Sequence, residues 1–439
     1  MNTSLYFGAT LALTLAVDTQ AATLDEAIRE ALAHNRQIRI SAAQVERRKY
    51  EVEAEKTKRL PTVNVSGTAG ISLTRADVTF PRGSFGDYAG TGPIPGDDTR
   101  VGIPRQLSGF SYSSFSLPLT QQSRIGARIA GARLEVELAA NDRERTEHEV
   151  VRDVRQLYFA SLAAEAAAKA TEANLTLAKE VERLASEGLD IGTTLPSERG
   201  EAVARRIRGE SAVSAIAADR ANLREQLNLL LGRALDESFE FVQPAEAFLS
   251  DLTLAEMRRL AASGRPEIVA AQLRVQQTET SIRARRAEFI PDVSLTVQHF
   301  GFLNTGNLAP SNYAVAGLQV SWEPWDWGRK KRELQSLRSQ AEGARLAVED
   351  SQQQVQREAS QALRAWEQSG RDVATARAAV VAAQESLRVV RERFGQQAAL
   401  MRQLLEAQAT FETAQEQQVR AEASRGTAWA NLQLAIGRK

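Results

Sequence analysis

"RLPTVNVSGTAG", residues Arg59 to Gly70, and "FIPDVSLTVQHF", residues Phe289 to Phe300, echo each other across this chain. Each follows a charged run with helical spacing, meets a proline and then alternates apolar with polar residues. The residue before a proline is pushed out of the α region, so Pro61 and Pro291 end helices, and a period of two marks the strands that follow. In the first copy Val63, Val65, Ala69, Ile71 and Leu73 alternate with Asn64, Ser66, Gly70, Ser72 and Thr74. In the second, Val293, Leu295 and Val297 alternate with Ser294, Thr296 and Gln298.

The echo belongs to a duplication. A shift of 230 lays Thr23-Leu24 on Thr253-Leu254, Glu26 on Glu256, Ile38 on Ile268, Pro61 on Pro291 and Val63 on Val293 without a gap. Later matches need other shifts: "FSLPLTQQSRIG" around Pro118 pairs with "VSWEPWDWGRKK" around Pro324, and Gly192 in "GLDIGTT" pairs with Gly395 in "RERFGQQ". The expected division is a leader over 1–21, a first repeat over 22–235 with strands near 62–80 and 110–119, and a second over 236–439 with strands near 291–300 and 313–322.

Each half carries the same order of elements. A short helix and a charged helix lead to the proline, a hairpin of two strands follows, and a long proline-free run then shows apolar steps of three and four. Those runs, Gln121 to Asp190 and Arg329 to Phe394, would rise roughly 100 Å as helices at 1.5 Å per residue. After Gly192 or Gly395 the chain turns, and a second helix returns to about Leu230 or Ile436.

Four strands of about ten residues, apolar at alternate positions, suit a tilted crossing of a bilayer. Four cannot close a barrel, and open edges in lipid would leave backbone groups unpaired at several kcal/mol each. Chains must therefore pool strands, two giving eight or three giving twelve, and spacing alone does not choose. On this reading Val63, Val65, Ile71, Leu73, Val293, Leu295 and Val297 face lipid, while Asn64, Ser66, Ser72, Ser294, Thr296 and Gln298 face a wet lumen. The alternative is a structural periplasmic coiled-coil protein without a pore.

Composition agrees with elongated helices. Basic and acidic side chains number 55 each and aromatics make up 6%, so no strong field draws the chain to nucleic acid. Cysteine is absent, which excludes disulfides, thiolate metal sites and a lipidated cysteine. Leu5 to Val17, "LYFGATLALTLAV", has the length of a secretory h-region, and Thr19-Gln20-Ala21 offers a cleavage site before Ala22, although "MNTS" lacks a basic residue. No later stretch supplies the run of about 18 apolar residues that a membrane helix needs.

The duplicated order of helix, proline, hairpin, long helix, turn and long helix resembles the TolC family of outer-membrane efflux channel proteins over essentially the whole mature chain. "TLDEAIREALAHNRQI", the paired "LPTVNVSG" and "IPDVSLTV", "SLPL", "WEPWDWGRKK" and "LLEAQATFETAQ" carry the resemblance. It implies a mainly α fold with membrane β: long helical hairpins forming a periplasmic α-barrel, and four strands per chain joining a 12-stranded trimeric outer-membrane β-barrel. The implied function is a passive exit duct of a tripartite efflux or type I secretion system. Implied partners are two further copies, a periplasmic adaptor (membrane fusion) protein, an inner-membrane pump and outer-membrane lipid. Two departures stand out. The family's Asn-Pro at the entry of the second helix is split into Asn35-Arg36 and Arg265-Pro266, and the run after Gly395 is about two residues longer than the family's spacing to its acidic-Ala pair.

The resemblance places a gate at the far periplasmic tip. Gly192 and Gly395 would form the tip turns and adaptor contact. Glu198, Glu201 and Glu406 would supply carboxylates and Arg199 and Arg402 nearby cations, which threefold symmetry would turn into rings. Trp322, Trp325 and Trp327 cluster at the second hairpin's exit, where an interfacial belt suits indole. No cofactor, metal or catalytic site is expected. His34, His148 and His299 sit in separate elements, and no phosphate loop, nucleophile elbow or His-Glu-x-x-His run occurs.

Overall fold

A computed structural model describes residues 21–71, 73–74, 76–103, 106–238, 240–242, 253–304 and 310–438. The expected leader lies almost wholly outside them. The first repeat contains β1 (Ala21–Ala22), α1 (Leu24–His34), α2 (Arg36–Thr57), β2 (Thr62–Ile71), β3 (Ala76–Phe80), β4 (Asp87–Tyr88), β5 (Gly92–Pro93), β6 (Thr99–Ile103), β7 (Leu107–Pro118), α3 (Gln122–Asp190) and α4 (Pro196–Leu231). Then come β8 (Glu240–Phe241), α5 (Leu254–Gly264), α6 (Pro266–Ala287), β9 (Asp292–Leu303), β10 (Asn312–Ser321), α7 (Arg329–Gly395) and α8 (Met401–Ala435). Among the described residues no helix is long and apolar enough to cross a membrane.

Two compact units form, and both draw on both repeats. The first takes the described residues through Gln44, Ala139–Ala271 and Ala347 onward; the second takes Val45–Leu138 and Gln272–Leu346.

In the first unit the short helices start alike. Thr23 and Thr253 each accept the backbone N–H of the glutamate three residues on at 3.3 Å, and Glu26 and Glu256 accept the threonine N–H at 2.8 and 2.9 Å. These reciprocal caps satisfy two orphan donors per helix. The backbone and side-chain hydrogen bonds from Thr23 and Thr253 hold both carboxyls below their usual range. Alanines 27 and 31 let α1 approach closely, and Leu24, Ile38, Val150, Val154, Tyr158, Leu227 and Leu231 complete that core. The Tyr158 hydroxyl answers the polar demand of this burial, donating to the Val242 carbonyl and accepting the Val242 N–H at 3.0 Å.

The second unit is built on one antiparallel sheet in the order β10-β9-β7-β2. Register is continuous from Asn312↔Gly301 to Ser321↔Asp292, from Gly109↔Leu303 to Pro118↔Ser294, and from Thr62↔Ser116 to Ile71↔Leu107. Each repeat thus gives one hairpin, and the two meet along β7 and β9. Among the described residues the outer edges of β2 and β10 carry no neighbour strand, and every residue of both strands is exposed. The first hairpin is also the longer, its connection folding into the ribbons β3–β6 and β4–β5.

The first alternation stops sooner than its pattern suggests. β2 ends at Ile71, and Leu73 lies in a bend, 85% exposed; Ser72 lies outside the described residues. Below the sheet Thr120 fixes the joint, its hydroxyl donating to the Pro291 carbonyl at 2.7 Å and accepting the Val293 N–H at 2.8 Å. Arg124 and Asp292 pair at 2.9 Å beside it. Cross-helix pairs in this unit are Arg48–Glu135 at 3.3 Å, Arg345–Glu279 at 3.0 Å and Arg285–Glu333 at 3.1 Å.

Candidate functional site

The tips of the helical hairpins α3–α4 and α7–α8 lie in the first unit and pack together. Val181 and Ala185 of α3, Ala202 of α4, Leu387 of α7 and Met401, Leu404, Leu405 and Ala407 of α8 form one buried cluster, flanked by Leu177, Leu184, Val390, Phe394 and Phe411. Alanine at 185, 202 and 407 permits the helices to close up, so the turns rest on a solid apolar base.

A shift of 205 relates the two turns. Thr193 donates its N–H to the Gly188 carbonyl at 2.8 Å, and Ala398 donates to Arg393 at 2.8 Å. Leu195 and Leu400 cap α4 and α8 with extended backbones, and their N–H groups are accepted by Glu198 at 2.9 Å and Gln403 at 3.0 Å. The left-handed position is Gly192, φ 78°, in the first turn and Gln397, φ 59°, in the second.

This corrects the sequence alignment. Gly395 does not correspond to Gly192; it is the last residue of α7. A glutamine occupies the conformation that normally favours glycine, which shifts the pairing by two residues. The apparent two-residue excess after Gly395 disappears, and Glu201-Ala202 falls on Glu406-Ala407. Both glutamates are exposed and both alanines buried.

The remaining tip residues have distinct surroundings. Glu198 is half-buried, with one carboxylate oxygen committed to the cap. Arg199 donates to the Ser186 hydroxyl at 3.3 Å, and Glu201 accepts from Arg205 at 3.0 Å. Arg402 and Glu406 are exposed, and among the described residues no side-chain hydrogen bond or ion pair joins Arg402 to Glu198.

One repeated constellation escaped the sequence reading. Arg183 bridges Glu180 and Glu187, and Arg388 bridges Glu385 and Glu392. The hydrogen bonds from the arginines hold the carboxyls of Glu180 and Glu385 below their usual range. The signal was legible as Glu-x-x-Arg-x-x-x-Glu recurring 205 residues apart, but matching the wrong glycines hid it. Such exposed pairs contribute about 0–1 kcal/mol each. Three apolar side chains, Ile191, Leu195 and Leu400, stand out of the two turns at 71%, 62% and 59% exposure.

Away from the tip, Trp322, Trp325 and Trp327 are exposed at the exit of the second hairpin, and the latter two meet edge-on at 5.8 Å. His34, His148 and His299 lie apart on α1, α3 and β9. Among the described residues no group of three or more His, Asp or Glu side chains is placed to hold a metal ion.

Comparison with known proteins gives one consistent likeness. The family model described as outer membrane efflux protein matches residues 27–233 and 257–438. Among solved structures, a membrane protein from Pseudomonas aeruginosa superposes with a TM-score of 0.77 at 19% identity, covering 94% of this chain and 90% of that one. The Campylobacter jejuni CmeC outer membrane channel gives 0.75 at 16%, covering 100% and 94%. The outer membrane protein VceC of Vibrio cholerae gives 0.73 at 16%, covering 94% and 96%. Among curated protein sequences none matches.

Proposed function

The chain belongs to the outer membrane efflux protein family, and from that premise we infer that it is the exit duct of a tripartite efflux or type I secretion assembly. It acts as a homotrimer in the outer membrane with a large periplasmic portion, and it receives substrate from a periplasmic adaptor and an inner-membrane pump. Conduction is passive, and no reaction is assigned to the chain. The observation that carries this reading is the four-stranded sheet with two open edges. Three copies placed edge to edge satisfy those edges as a closed twelve-stranded barrel, whereas a pore-less coiled coil has no use for them. We assign residues 1–21 as an export leader and 22–235 and 236–439 as the two repeats.

At the tip we assign the gate to Glu198, Arg199, Glu201, Arg402 and Glu406. Glu201 and Glu406 hold equivalent places, so a trimer carries each as a ring of three carboxylates that favours cations. Arg199 and Arg402 supply the cations for bridges to neighbouring chains, and Glu198 fixes the start of α4. Gly192 and Gly395 bracket the adaptor contact, whose apolar element is Ile191, Leu195 and Leu400. Trp322, Trp325 and Trp327 are assigned to the lipid interface.

Outer-membrane fractionation with conductance in planar bilayers tests the duct: a heat-modifiable, ion-conducting trimer is expected, and a monodisperse water-soluble monomer would overturn it. Arginine at Val65 or Leu295 should block assembly at about 2–4 kcal/mol per chain, and arginine at Ser66 should be tolerated. Replacing Glu201 and Glu406 together by alanine should weaken cation preference at unchanged trimer yield.

A further inference from the structure

The two faces of the sheet differ in a way that strand alternation did not reveal. On one face, near the helices, stand Val65, Leu117, Leu295, Val297, Leu318 and Val320, with Leu117 and Leu318 directly opposite Leu295 on either side. The other face at that level carries Asn64, Ser114, Ser116, Thr296, Gln298 and Gln319, with Val315 opposite Gln298 as the apolar exception. An apolar face beside a polar one is the pattern of lipid outside and water inside.

Farther from the helices the polar face changes character. Phe110 and Tyr112 of β7, Phe300 and Phe302 of β9 and Tyr313 of β10 occupy it. The unbroken register keeps them on the side of Thr296 and Gln298, because Tyr112 and Tyr313 are both opposite Phe300, and Phe110 is opposite Phe302. Their rings touch in sequence: Phe302 to Phe110 at 5.6 Å between centroids, Phe110 to Phe300 at 6.3 Å, Phe300 to Tyr112 at 5.2 Å and Phe300 stacked on Tyr313 at 5.0 Å. Phe110 and Tyr313 remain 42% and 46% exposed. At the same level β2 presents only Thr68 and Ser66. An aromatic belt at the membrane interface would stand on the Leu295 face; these rings stand on the opposite one.

We propose that Phe110, Tyr112, Phe300, Phe302 and Tyr313 form an aromatic constriction inside the barrel, which favours apolar and aromatic solutes over hydrated polar ones. The proposal rests on the exit-duct reading. Three chains contribute the group around a lumen only twelve strands wide, with the small side chains of β2 between successive groups. A narrow apolar passage sheds water and so hinders ions and polar molecules, while exposed ring faces and edges accept aromatic solutes in offset or edge-on contact. Selection would therefore act at the exit of the duct as well as at the pump.

The absence of cysteine gives a clean test. Thr296→Cys places a single thiol on the same face, four residues nearer α6 than Phe300. In purified trimers its labelling is followed with a multiply sulfonated maleimide and with N-phenylmaleimide, with the aromatic group intact or carrying Phe110→Ser, Phe300→Ser and Phe302→Ser. The charged reagent should react ~10-fold faster once the rings are removed, and the phenyl reagent should change by less than about twofold, as expected of a dewetting constriction. If the serine variant does not assemble, Phe110→Leu, Phe300→Leu and Phe302→Leu keep the surface apolar and should still speed the charged reagent. Rates for that reagent independent of the rings, in intact trimers, would overturn the constriction and leave the duct standing. A thiol unreactive to both reagents in every background would place Thr296 away from water and overturn the lumen assignment itself.

Discussion

At the hairpin tips the two repeats make the same hydrogen bonds with different residues; at the joint between their short helices they follow the same backbone path with different chemistry. Asn35 and Arg265 are both extended residues separating two helices, and both are buried. Asn35 caps α2, its side-chain Oδ1 accepting the N–H groups of Gln37 at 2.8 Å and Ile38 at 3.3 Å, while its Nδ2 donates to the Leu230 carbonyl at 2.9 Å. Arg265 offers α6 no side-chain acceptor, and only its backbone carbonyl takes the Ile268 N–H, at 3.3 Å. Its side chain reaches Glu267 at 2.8 Å and Glu358 on α7 at 2.9 Å. The next residues explain how α6 restarts without such a cap: Pro266 already holds helical φ, and the Glu267 N–H, the counterpart of the Gln37 donor, is taken by the Glu267 carboxylate. The tip demands one backbone shape at a given place, whereas the joint demands only that a helix restart and that something tie it down.

Breaking the joints should separate the repeats most. Arg265→Ala strands two half-buried carboxylates and should cost near the lower end of about 3–5 kcal/mol, against about 1–2 kcal/mol for Asn35→Ala. Heat and denaturant midpoints of the two trimers decide, and equal losses would erase the contrast. Acid should act on only one joint. Burial raises the Glu267 carboxyl, but the hydrogen bond and charge of Arg265 outweigh it, and the group sits below its usual range. Its contribution is therefore complete above the ordinary carboxylate range and disappears as pH falls through the depressed value. The gap between Arg265→Ala and the parent should narrow in acid, and the gap for Asn35→Ala should not.

Exchanging the tip residues should give a smaller effect. Gly192→Gln places a side chain at positive φ with open space around it, so the loss is conformational, about 1 kcal/mol. Gln397→Gly should recover somewhat less, because glycine also loosens the unfolded chain. If neither swap shifts the midpoint, the two turns are not equivalent. Least of all, Gln403→Glu should stabilise and Glu198→Gln destabilise by a few tenths of a kcal/mol through the helix N-terminus, with both effects fading in salt.

Where local chemistry is decisive, the sequence was readable. Pro61 and Pro291 announced the strands that begin at Thr62 and Asp292, and long stripes of Val, Leu and Ala announced α3 and α7. Glycine is the ordinary sign of a left-handed turn, and Gln397 departs from it because packing of the tip overrides intrinsic preference. The longer connection between β2 and β7, compared with that between β9 and β10, moved the repeat shift from 230 before the hairpins to 205 at the tips, so no single shift could align both. The aromatic group was invisible for another reason. Phe110 is remote in the chain from Phe300 and Tyr313, and only the register of the three strands makes them neighbours.

The open edges of β2 and β10 have a consequence for how the protein comes into being. A lone copy exposes the unpaired outer edge of each of these two strands, the template on which misassembly and aggregation start. Burial in lipid would not relieve them, so insertion and oligomerisation must be one event. Barrel formation should then rise steeply with the local supply of chains, and a lone copy that arrives too early needs an escort.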